Sequence, residues 1–134
     1  MTAMDIPEQY KYAVIPHVMV DGAAEAIAFY ATAFGATEHF RRENEDGRIA
    51  HAEITVHDSR FMLGDAHTPY AAPGAGGCSV GLHVYVPDVD GLTTQAVAAG
   101  AELLSPPTDM PYPARRAVLR DPFGHIWVFL TQTA

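Results

Sequence analysis

The chain says nearly the same thing twice. Residues 16–26 read PHVMVDGAAEA and residues 81–91 read GLHVYVPDVDG. In each copy a His-Val-x-Val run passes into a short turn with an acidic residue, then into a helical pattern. Such self-similarity constrains the fold more than any single element, because a duplicated unit has to pair with its copy. Residues 12–20, rich in Val and Ile, read as a strand, and Asp21 can cap the following helix by accepting backbone N–H bonds. Ile27, Ala31 and Phe34 recur at helical spacing before Gly35 supplies a left-handed stop. The second copy repeats this with a strand at 80–86, Asp88 as cap, a stripe of Val89, Leu92, Ala96 and Ala99, and Gly100 as stop. Three strand-like runs follow each helix, at 37–42, 48–56 and 60–63, then at 102–105, 114–120 and 125–131. Turn-rich breaks separate them. The expectation is two βαβββ modules, about 12–65 and 80–131, joined by a Pro- and Gly-rich linker at about 66–79. Neither module can cover its own sheet. A single α+β domain follows, in which the modules pair to close a curved mixed sheet into a cup.

Composition narrows the partners. With 134 residues and 18% charged side chains the chain is globular and of one-domain size. A formal charge of -8 argues against a nucleic-acid surface, which needs a basic face. It suits a neutral or cationic small molecule. The single cysteine, Cys78, excludes an internal disulfide, and with no base evident beside it in the sequence it reads as a bystander. No apolar run reaches membrane-spanning length, and the first residues lack the basic and apolar regions of a secretory signal. A cytoplasmic protein with no membrane partner is expected.

Three stretches carry a resemblance: VDGAAEAIAFYATAFGA at 20–36, GRIAHAEI at 47–54 and RDPFGHIW at 120–127. They are similar to the vicinal oxygen chelate superfamily, which holds glyoxalase I, bleomycin-resistance proteins, fosfomycin-resistance enzymes and extradiol dioxygenases. Within it they most resemble the PhnB-like branch. The resemblance runs from about residue 13 to 130 and implies the βαβββ cup. In the metal enzymes of the superfamily, His and Glu from the first and last strand of each half hold a divalent cation that acts as a Lewis acid. Placed in that register, this chain has Ile15 and Gly81 at the first-strand positions. Its other two positions fall among Phe61, Met62 and Leu63, and on Val128. None is a ligand. The resemblance therefore implies a cup that binds a small molecule without a metal or other cofactor, and a homodimer, because relatives pair modules to close their cups.

His17 and His83 each lie two residues beyond the family position, so they keep the cup-facing side but sit deeper by about 6–7 Å. In HAEIT, strand alternation puts His51, Glu53 and Thr55 on one face and Ala52, Ile54 and Val56 on the other. Met19 and Tyr85 alternate with the histidines and supply apolar walls. Arg115, at the rim in the resembled branch, could fork onto a carboxylate. The expected pocket is therefore His17, Met19, His51, Glu53, His83, Tyr85 and Arg115. Two other readings stand beside it. His17, Glu53 and His83 could form a displaced site for one divalent metal ion in a lyase, isomerase or dioxygenase. The His/Glu group could also do acid–base chemistry without a cofactor. Whether the protein is an enzyme is left open by these residues. Trp127 is expected on the helix-facing side, His125 in a structural turn, and His67 in a turn with no nameable partner.

Overall fold

The computed structural model describes residues 7–74 and 76–134. A short 3-10 turn at Glu8–Tyr10 precedes the first module: β1 (His17–Val20), α1 (Ala23–Phe34), β2 (Thr37–Glu43), β3 (Ile49–Val56) and β4 (Ser59–Asp65). The second repeats it with β5 (Gly81–Tyr85), α2 (Val89–Ala99), β6 (Glu102–Asp109), β7 (Ala114–Arg120) and β8 (Ile126–Gln132). Each module forms a four-stranded mixed sheet, ordered β1-β4-β3-β2 and β5-β8-β7-β6. In both, the first strand runs parallel to the last and the remaining pairs are antiparallel. The fold is the α+β pair of βαβββ modules that the repeat predicts.

Two boundaries differ from expectation for plain reasons. The first strand starts at His17, since Tyr12 takes a left-handed φ of 61° and Pro16 has no N–H to give a ladder. The sixth runs on through Pro106 and Pro107 to Asp109, which an edge strand tolerates because one side needs no donors.

The start of α1 is also held differently. Gly22, at φ 95°, occupies the cap position and offers no side chain. Asp65, at the end of β4, reaches across instead: its Oδ1 accepts the Gly22 and Ala23 N–H groups, both at 2.9 Å. Its Oδ2 accepts from Ile49 N at 2.8 Å. Asp21, expected to be the cap, is left exposed. In the second module Asp88 does cap α2, through Gly91 N at 3.1 Å. Thr131 takes the place of Asp65 there: it accepts from Val89 N at 2.8 Å and donates to the Val86 carbonyl at 2.9 Å.

The helix-facing sides of both sheets share one core. Phe34 of α1 reaches β8 of the other module, with ring centres 4.7 Å from Trp127 and 4.9 Å from Phe129. Trp127 is thus on the helix side, as alternation requires. A buried carboxylate, Asp121, fixes this junction. Its Oδ2 accepts from Tyr30 Oη at 2.6 Å and from Trp127 Nε1 at 2.9 Å. Its Oδ1 accepts the backbone N–H groups of Phe123 and His125, at 2.9 and 3.0 Å. Burial and the Asp121 charge push the Tyr30 phenol well above its usual range, so it stays a donor.

Asp121→Ala should cost on the order of 3 kcal/mol, because four donors lose their acceptor; denaturant unfolding measures it. Burial raises the Asp65 carboxyl, but the N–H bonds from Ile49, Ala23 and Gly22 outweigh that and hold it below the usual range. Its contribution is present above the unfolded carboxyl value, about 3.9, and is lost as pH falls through the lower native value. Asp65→Asn should therefore show a shallower loss of stability below about pH 4 than the parent chain in the same titration.

Candidate functional site

Strand register sorts the side chains of each sheet's other face. His17 pairs with Met62, and Met62 with Glu53, so these three share a side with Met19 and His51. Ala52, Ile54 and Val56 belong to the core, as HAEIT predicts. In the second sheet His83 pairs with Val128 and Tyr85 with Leu130. That face is apolar: Val128 and Leu130 cluster with Ala114, flanked by Val118 and Ile126. Val128, the residue that the sequence register set against a family ligand position, lies inside this apolar patch.

A cleft of about 670 Å³ lies between β1, the connector and β5. Val14, His17, Met19, Val80, Leu82 and His125 are among the residues lining it. Among the described residues, no Asp, Glu, Lys or Arg lines it. A second hollow of about 400 Å³ adjoins it across Val14, Pro16 and Leu82, and holds His83 and Arg60.

Glu53 is buried on the face of the first sheet and fully engaged. One carboxylate oxygen takes the His51 Nε2 at 3.1 Å, and the other takes Arg60, also at 3.1 Å. The Arg60 guanidinium lies 5.9 Å from the Tyr10 ring centre. Burial works against the Glu53 charge, yet the His51 bond and the nearby Arg60 outweigh it and keep the carboxyl below its usual range. Burial and that carboxylate push the Tyr10 phenol up to about 12. His17 stands edge-on to His51 at 5.5 Å between ring centres, and 6.1 Å from Tyr70. Its Nε2 is buried without a partner among the described residues. Burial, then the charges that His51 and His67 would carry, hold its pKa below the usual 6.5. This ring is a neutral acceptor or donor at working pH.

The pocket residues named from the sequence therefore divide. His17 and Met19 line the main cleft, with His51 and Glu53 on the same sheet face beside His17. His83 lies in the adjoining hollow. Tyr85, 64% exposed, lines neither hollow. Arg115 points elsewhere: it forks onto Asp90 of α2 at 2.8 and 3.0 Å and also meets Asp109. Its strand neighbours Ala117 and Leu119 are core residues, so alternation puts Arg115 on the helix side.

The displaced metal site is not assembled either. Glu53 already holds a cation, Arg60, while His17 and His83 line different hollows. Among the described residues, no three His, Cys, Asp or Glu side chains gather closely enough to hold a metal ion. The residues present do not fit that group.

Sequence reasoning missed Arg60, Tyr10 and His125. Arg60 carried a signal, being the one charge in the run 60–63 that follows Glu53's strand. His125 did not, because its contact is remote: its Nε2–H donates to the Met19 carbonyl at 2.7 Å, tying the second module to β1.

The chain belongs to the glyoxalase/bleomycin resistance protein/dioxygenase superfamily, whose model matches residues 13–129. An uncharacterized protein from Mycobacterium bovis is 38% identical over 122 residues, covering 86% of this chain and 80% of that one. The crystal structure of TioX from Micromonospora sp. ML1 is similar with a TM-score of 0.73 at 28% identity, covering 89% of this chain and 97% of that one. A PhnB protein from Bacillus cereus shares the fold, with a TM-score of 0.67 at 19% identity over 88% of this chain and 98% of that one. No helix among the described residues is long and apolar enough to cross a membrane.

A proton NMR titration should find His17 with a midpoint below 6.5, and His51→Ala should move that midpoint upward. A midpoint at or above 6.5 in the parent chain contradicts the burial argument.

Proposed function

We propose that this protein reversibly binds a small, uncharged, largely apolar molecule in the cleft between β1 and β5. The binding is of the PhnB-like, bleomycin-resistance-like kind, without a metal at the family's ligand positions. One observation carries the reading: the cleft is drug-sized, and no fully charged side chain among the described residues lines it. Met19, Val80 and Leu82 offer apolar contact, and the His17 ring, Ser79 and His125 are the few polar groups beside them. A carboxylate or phosphate ligand would find no guanidinium or ammonium there. The PhnB-like assignment rests on the motifs at 20–36, 47–54 and 120–127.

A cytoplasmic homodimer belongs to the same proposal. Tyr12 and Val14 are each 98% exposed, and Val80 and Tyr85 more than half exposed. Apolar surface of this kind beside a cleft favours a covering partner, and a second copy would also deepen the cleft at Val14 and Val80.

Uncharged aromatic fragments found by ligand-observed NMR should lose at least about tenfold in affinity, 1.4 kcal/mol, in Val80→Arg. Arg115→Ala should bind them as the parent does. Unchanged binding in Val80→Arg, or binding that requires added divalent metal, would overturn the reading. Light scattering should give about twice 14.4 kDa, and a mass of 14.4 kDa at micromolar concentration contradicts the dimer.

A further inference from the structure

Cys78 is the chain's single cysteine, and it lies in the connector rather than in either module. The fold brings it to the wall of the main cleft, beside His125 from the β7–β8 turn. We propose that Cys78 and His125 form a nucleophilic pair that captures uncharged α,β-unsaturated carbonyl compounds entering this cleft.

The geometry assigns the roles. His125 Nε2 lies 2.7 Å from the Met19 carbonyl, which can only accept, so that nitrogen carries a hydrogen. In the neutral ring the bare nitrogen is therefore Nδ1, and Nδ1 is the atom 3.8 Å from Cys78 Sγ. The thiol has one other acceptor in reach, the Val80 carbonyl at 3.3 Å. A carbonyl can receive a hydrogen bond but cannot keep the proton, whereas an imidazole can. Cys78, a base, and an orienting group for that base stand in the order an activated thiol needs. The Met19 carbonyl is the orienter.

The lining decides the class of electrophile. Cys78 and His125 share the cleft with Val14, Met19, Val80 and Leu82, and no fully charged side chain lines it among the described residues. Anionic thiols and carboxylates have no cation to meet there, and a soft neutral carbon centre suits both the sulfur and the walls. In the step, the S–H bond breaks and its proton passes to His125 Nδ1. The sulfur pair forms a C–S bond at the β carbon, and the C=C pair moves onto the carbonyl as an enolate. The imidazolium then returns its proton, which ends on the α carbon. The product is a neutral thioether. Nothing leaves and no oxidant enters.

This site shares its cleft with the reversible binding proposed above but does not depend on it. Adduct formation, read by intact mass and lost in Cys78→Ser, tests this site; fragment affinity in Val80→Arg tests the other, so either can fail without the other.

N-ethylmaleimide is a neutral probe of this class, and with one cysteine in the chain intact mass reads a single adduct at a known atom. His125→Gln keeps an N–H donor for the Met19 carbonyl but has no base. At pH 7 the native parent should label at least about tenfold faster than His125→Gln. It should also label faster than the same parent chain unfolded in guanidinium, a comparison that needs no variant to fold. Equal rates for parent and His125→Gln, or a native rate at or below the unfolded one, would overturn the proposal.

Discussion

Asp121 is where the two halves of this molecule become one. Each βαβββ module leaves a sheet face that it cannot cover, and the aromatic side of α1 crosses to cover β8 of its neighbour. An apolar contact of that kind has no fixed geometry of its own. The buried carboxylate supplies it, by binding Tyr30 on the helix, Trp127 on the strand and two backbone N–H groups of the turn at once. The same turn places His125, whose ring reaches the Met19 carbonyl and sets one wall of the cleft. The site therefore depends on the junction: loosening Asp121 would move His125 relative to β1, and with it the surface a ligand meets.

The cleft's chemistry follows from where the charges went. Glu53, Arg60 and His51 satisfy one another on the first sheet, and Arg115 is spent on Asp90 and Asp109 on the helix side. What remains around the cleft is apolar wall, backbone, the Cys78 thiol, the Ser79 hydroxyl and two imidazoles, His17 and His125. In a superfamily whose metal enzymes place His and Glu on the cup face, this chain has an apolar cluster around Val128 and a salt bridge on Glu53. Such a surface favours binding by shape and a few hydrogen bonds over chelation.

Much of this was legible in the sequence, because period-two alternation and duplication are local signals. HAEIT sorted His51 and Glu53 from Ala52 and Ile54 correctly, and Trp127 fell on the helix side as expected. The same rule, applied to Arg115 alongside Ala117 and Leu119, would have removed it from the rim. What no local pattern carried were contacts between modules and the path of the connector. Asp65 capping α1 from 42 or 43 residues away depends on how the first module closes, Tyr30 meeting Asp121 on how the two halves dock, and Cys78 meeting His125 on the path of the connector. Asp21 looked like the cap because caps are usually adjacent, and Gly22 with Asp65 solved the same problem at long range.

The claim that this cleft is a neutral binding site rather than a chelating one is tested most directly by elemental analysis of protein purified without added metal. The account predicts no stoichiometric divalent metal, in the parent and in His17→Ala and His83→Ala alike. One metal ion per chain in the parent, lost in His17→Ala or His83→Ala, would contradict it.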